Sequence, residues 1–260
     1  MFISSKSLPI SIIAIPFLLG IIFTSYRLFF SLMIVIFFLL IMYIINVNYR
    51  FVTLIFISFL IGLFIYQLIN LFIDNFDMPR ELRVLINRGL LIIIFTALTI
   101  VNIVHKKKIS FFNNKANWGN SISLPFHSIK LSYFMLIGII ITGLVFIPII
   151  LNKEPGFIKS IFIFGLLFSI INAILEELIW RGIMLTSLIE YISVTNAIII
   201  TSIGFGMLHL VVGIPFFISL LFSIGGLFYG FIVIKTNSIY PAIIFHFVVN
   251  IGMVLSGMIL

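Results

Sequence analysis

The chain has no cysteine in its 260 residues. That excludes disulfides, a thiol nucleophile and thiolate metal ligands. Acidic residues are nearly as scarce, seven Asp and Glu against 15 Lys and Arg. Charged side chains make up 8% of the composition, where soluble domains carry roughly 25%. Several catalytic patterns are missing too. There is no H-E-x-x-H helix, the signature of one class of zinc protease. The two aspartates, Asp74 and Asp77, share one polar loop, so a pair of aspartates on separate spans is excluded. Serines are plentiful but none stands in a G-x-S-x-G setting, the strand-to-helix elbow of a serine nucleophile.

What is present is hydrocarbon. Hydrophobic residues make up 63% of the chain and the mean hydropathy is +1.37. They run in blocks at 8–25, 28–46, 51–73, 89–104, 131–152, 158–189, 195–212, 215–234 and 239–259. About 20 apolar residues cross a bilayer as a helix. The pattern predicts an all-α polytopic transmembrane helical bundle of about eight or nine spans. The run after Lys6 has no small-residue cleavage site and reads as a retained first span, not a signal peptide. The net charge of +8 lies in the connections. It fits a positive-inside topology and not nucleic-acid binding.

Two connections are long. The loop 74–88 is mixed in charge, and its second half reads as a short interfacial helix. The loop 105–130 carries Lys106, Lys107, Lys108, Lys115 and Lys130, with Trp118, Gly119 and Pro125. It reads as irregular structure at the headgroups. It also divides an accessory transmembrane region, 1–130, from a catalytic helical core, 131–260. With the N-terminus inside, Lys6, Arg50, the five loop lysines and Lys235 lie on the cytoplasmic side. Arg27, Arg80, Arg83, Arg88, Lys153 and Lys159 lie opposite.

The misplaced polar residues fall after this division. Glu176 and Glu177 end a long apolar run in AILEELIWRG. Carboxylates in hydrocarbon are costly and tend to be paired or functional. Glu177 and Arg181 are four apart, acid first, the favoured order for a helical ion pair. Glu176 is turned about 100° away and has no local partner. It reads as the carboxylate free for general-base chemistry. The plainer reading puts both glutamates at a helix end facing water with Arg181 snorkelling.

A polar break at 193–196 predicts an antiparallel hairpin of 158–191 with 195–212. Glu176 lies about 17 residues before the turn and His209 about 15 after it, so their heights differ by about 3 Å. Gly204 and Gly206 would let these helices approach. His246 and Asn250 are four apart on the last span and share a face. Both can donate to an oxyanion. Alternatively, Glu176, His209 and His246 ligate a divalent metal such as zinc. Bringing His246 level with His209 would require the hairpin to protrude from the membrane. Gly226 and Gly230 read as close helix packing, and His105 and His127 as solvated loop residues.

EELIWR at 176–181, FGMLH at 205–209 and HFVVN at 246–250 resemble the EExxxR, FxxxH and HxxxN-type motifs of the CPBP family. This family comprises CAAX prenyl proteases and bacteriocin-processing or immunity proteins, and includes the type II CAAX prenyl endopeptidase. The resemblance covers about 160–257. It implies an intramembrane endopeptidase in a multi-pass protein of the bacterial plasma membrane. Glu176 is then the base that activates water, His209 its assistant, and His246 with Asn250 the oxyanion pair. Glu177 and Arg181 form the structural ion pair. The implied partners are lipid and a membrane-associated peptide or protein substrate. No cofactor follows with certainty. A non-enzymatic immunity or scaffold protein, or a small transporter, is the alternative.

Overall fold

A computed structural model describes residues 9–123 and 126–259. Lys6, the first residue of the 8–25 block and Pro125 lie outside the described residues. Among the described residues the regular structure is helical but for one short ribbon. Its helices are α1 (Ser11–Ser25), α2 (Phe29–Ile45), α3 (Arg50–Ile73), α4 (Arg80–Gly89), α5 (Leu91–Val104), α6 (Leu131–Leu151), α7 (Pro155–Glu177), α8 (Thr186–Ile189), α9 (Val194–Leu208), α10 (Phe216–Thr236) and α11 (Tyr240–Leu255). A π-helix, Leu178–Leu185, joins α7 to α8, and a 3₁₀ turn, His209–Val212, extends α9.

Among the described residues six helical stretches are long and apolar enough to cross a membrane: Val47–Ile73, Arg80–Val104, Leu131–Leu151, Pro155–Ile189, Val194–Val212 and Phe216–Thr236. The apolar helices α1, α2 and α11 are shorter. This is an integral multi-pass membrane protein. Large apolar side chains face outward all round the bundle, Phe30, Phe37, Leu144 and Phe217 among them, as lipid contact requires.

Local chemistry sets the breaks between helices. The Ser193 hydroxyl accepts from the Asn196 amide at 3.2 Å and caps α9, satisfying a donor that the first helical turn leaves free. Gly213 (φ 85°) and Asn237 (φ 50°) adopt left-handed conformations that stop the 3₁₀ turn and α10. Pro155 opens α7, where the missing N–H costs nothing. The second half of the 74–88 loop forms the amphipathic α4. Part of the basic loop, read as irregular, folds into an antiparallel pair, Ser121–Ser123 with Ser128–Lys130, in which Ile122 opposes Ile129.

Two sets of helices meet in one core. Phe17 of α1 stacks on Phe56 of α3, ring centres 4.1 Å apart, and Phe59 of α3 lies 4.9 Å from Trp180 of the π-helix. α9 lies between α1 and α10, and α11 between α6 and α7. The hairpin differs from expectation: α9 packs on the π-helix and α10, while α7 takes α11 as its neighbour. α4 also docks on α7. His246 therefore approaches the glutamates directly, and no protruding hairpin is needed to bring it there.

Candidate active site

The site is built on the last turns of α7. Asn172 and Glu176 are four apart and share a face; Glu177 is next, and the π-helix begins at Leu178. Short π segments concentrate at functional sites. Glu176, Glu177 and Arg181 are buried to within 1%.

Arg181 Nη1 donates to Glu177 Oε1 at 2.9 Å, and Nη2 donates to the Gly226 carbonyl at 2.8 Å. Its guanidinium lies over the Phe205 and Tyr229 rings, 4.8 and 5.2 Å from their centres. Glu177 does more than pair with Arg181. Its Oε1 is also 3.0 Å from Nδ1 of His246. The ring orientation that offers Nδ1 to Glu177 presents Nε2 to Glu176. Nε2 lies 3.7 Å from Glu176 Oε2. Tyr229 stacks on the other side of this imidazole at 4.9 Å.

One expectation is corrected here. Glu176 is not free of a cation: Arg88, at the end of α4, places Nη1 3.4 Å from Glu176 Oε1 and 3.3 Å from Asn172 Oδ1. No local spacing could reveal this, since the ion pair joins residues 88 apart in sequence. The expected meeting of Glu176 with His209 is also corrected. Among the described residues no hydrogen bond or ion pair joins them. His209 Nδ1 faces its own Phe205 carbonyl at 3.0 Å, and its ring stacks on Phe222 at 4.2 Å.

His209, His246, Asn250 and Arg88 line one cavity of about 1390 Å³. Glu176 sits behind this lining, reached past Arg88 and His246. Three polar atoms here have no protein partner among the described residues: Glu176 Oε2, Asn250 Nδ2 and Arg88 Nε. Buried polar groups are nearly always satisfied, so this concentration marks a place made to bind something polar. The lining also takes in Gln67, Asn70 and Asn87 from α3 and α4, polar groups that spacing within the last spans could not indicate.

The donor set does not fit a metal ion. No cluster of three His, Asp or Glu side chains with metal-site geometry occurs among the described residues. Both carboxylates are already compensated by guanidinium groups. Glu176, His209 and His246 are thus not arranged as a zinc triad. His105 and His127 are exposed in the basic loop. Glu190, near the tip of α8, pairs with Lys107 at 2.7 Å, and this hydrogen bond holds the Lys107 ammonium above the usual lysine range.

Two histidines and an asparagine line the cavity, with two buried carboxylates packed beside His246. Residues 158–252 match the family described as Type II CAAX prenyl endopeptidase Rce1-like. The stretch that carries the motifs is thus similar to that family. No curated protein and no solved structure gives a match.

Proposed function

We propose that the protein is an intramembrane endopeptidase that uses glutamate-activated water. Glu176 Oε2 accepts a proton from a water molecule in the cavity, and His209, which also lines that cavity, orients the water. The hydroxide adds to the scissile carbonyl carbon. The resulting oxyanion is held by Nε2–H of His246, in its doubly protonated form, and by Nδ2–H of Asn250. Collapse of the tetrahedral intermediate breaks the C–N bond. Glu176 returns its proton to the leaving amine, giving a carboxylic acid and an amine, and the acid proton then passes to the amine. Glu177 and Arg181 hold His246 and the π-helix in place.

The observation that carries this reading is the line from Glu176 Oε2 to His246 Nε2 at 3.7 Å, beside an uncommitted Asn250 amide. The gap is too long for a tight hydrogen bond, so both atoms are free to reach one oxygen placed to the side of that line. The substrate is a membrane-associated peptide or protein, and the family description makes a lipidated tail the first class to test. We place the protein in the bacterial plasma membrane with about nine crossings, the three shorter helices included.

The test compares peptide termini in membranes of cells carrying wild type, Glu176→Gln or His246→Ala. A terminus generated by wild type and absent from both variants, at equal protein levels, supports the reading. Wild-type processing by Glu176→Gln overturns it and leaves a non-enzymatic partner-binding protein, such as an immunity factor.

A further inference from the structure

We propose that Arg88, which lies outside the matched region, is a positioning residue for Glu176. It anchors one carboxylate oxygen so that the other faces the reacting water. The inference rests on the glutamate-base reading above. Arg181 cannot serve Glu176, because its two Nη groups are committed to Glu177 and the Gly226 carbonyl. Among the described residues Arg88 is the one Lys or Arg that touches Glu176. A single Nη1 group faces both Asn172 Oδ1, at 3.3 Å, and Glu176 Oε1, at 3.4 Å. These acceptors are one helical turn apart, so the guanidinium bridges them along the face of α7. A carboxylate is planar; fixing Oε1 fixes the direction of Oε2, the oxygen turned to His246.

The placement of Arg88 is itself secured. Its neighbour Asn87 accepts from the Tyr66 hydroxyl at 2.9 Å and donates to Asn70 Oδ1 at 2.8 Å. Both partners belong to α3. The last turn of α4 is thereby tied to α3 on one side and to α7 on the other. Other ionisable groups near Glu176 have different duties. His246 is held by Glu177, and His209 by its own backbone. Arg88 is 7% exposed and lines the cavity, so a small cation could enter the space left by truncating it.

The experiment uses full-length protein in liposomes and a dye–quencher peptide spanning the cleavage site found by the membrane-terminus comparison. Arg88→Ala should lower kcat about 100-fold while KM stays within about twofold, the pattern of a misplaced catalytic group. Added methylguanidinium should restore activity to Arg88→Ala and not to Glu176→Gln. Arg88→Lys, which keeps the charge, should recover part of the rate. If Arg88→Ala does not accumulate, Asn172→Leu decides: it keeps the ion pair but removes the second anchor, and kcat should fall with KM unchanged. Wild-type kcat in Arg88→Ala, or in Asn172→Leu where that variant decides, overturns the inference while loss in Glu176→Gln leaves the base reading standing. A loss in Arg88→Ala confined to KM, or unmoved by both methylguanidinium and Arg88→Lys, also overturns it. Full activity of Glu176→Gln sinks both.

Discussion

Arg181 is the residue on which the buried charges depend. It is fully buried, and its guanidinium joins Glu177 to the α10 backbone between two aromatic rings. Removing one partner of a buried ion pair costs about 3–5 kcal/mol, because the other charge is left uncompensated. Arg181→Ala should therefore lower the melting temperature in detergent and the amount of protein in the membrane. Arg181→Lys should fall between that variant and wild type, since a lysine keeps the charge but not the planar fork. An Arg181→Ala protein with unchanged melting would mean the pair carries no stability. This pair was legible in the sequence because it is local, four residues on one helix. Arg88 was not. As a charge beside an apolar block it resembled any other flank, and its partners stand 84 and 88 residues away. The second duty of Glu177, holding His246, is equally non-local at 69 residues.

Among the elements, each apolar block contains a helix because hydropathy and length alone dictate that in a bilayer. Which helices adjoin is a different question, settled by side-chain size at the contacts. Gly204 gives its face to Trp180: a Cβ there would meet the indole Cη2 at 2.6 Å. Gly206 faces Ser219 and Ser223 of α10 instead of the glutamate helix, and that seats α9 on α10. The π-helix left no mark in the sequence, since LIWRGIML has the composition of any apolar helix. Gly226 and Gly230 separate two kinds of close contact. A Cβ at Gly226 would lie 2.9 Å from the Ser202 Cα and 3.0 Å from its carbonyl oxygen, backbone that cannot move aside. At Gly230 the obstacle is the Ile198 Cγ2 at 3.2 Å, and a side chain can shift. Gly226→Ala should cost about 1–3 kcal/mol by overpacking and should reduce processing, because the displaced carbonyl is the Arg181 acceptor. Gly230→Ala should be close to wild type in thermal melting and processing. Equal behaviour of the two would refute the argument from backbone contact.

At the scale of the whole molecule, the motifs are concentrated in the last hundred residues, but the packing that holds them is not. The largest buried cluster runs from Ile13 to Ala242 and takes in α1, α2, α3, α5, the π-helix, α9, α10 and α11. Trp180, between the glutamates and Arg181 in sequence, is covered on one face by Phe59 of α3. The basic loop also reaches across the bundle. Phe112 accepts from the Ile239 amide at 2.8 Å, where α11 starts, and Phe111 lies against Gly182 of the π-helix. A division into accessory and catalytic regions therefore describes where the chemistry-bearing motifs lie, and independent folding of 131–260 is a separate matter. Expressed alone, 131–260 would expose the faces of the π-helix and α9 that α1 and α3 now cover, and it would lack Arg88. It should fail to accumulate in the membrane. Coexpression of 1–130 with 131–260 as two chains should restore both accumulation and processing, because the contacts between the halves are packing, hydrogen bonds and ion pairs that need no covalent join. Membrane levels of the two fragments, apart and together, measure this directly. Processing by 131–260 alone at the wild-type rate would show that the first five helices neither support the site nor supply a residue to it.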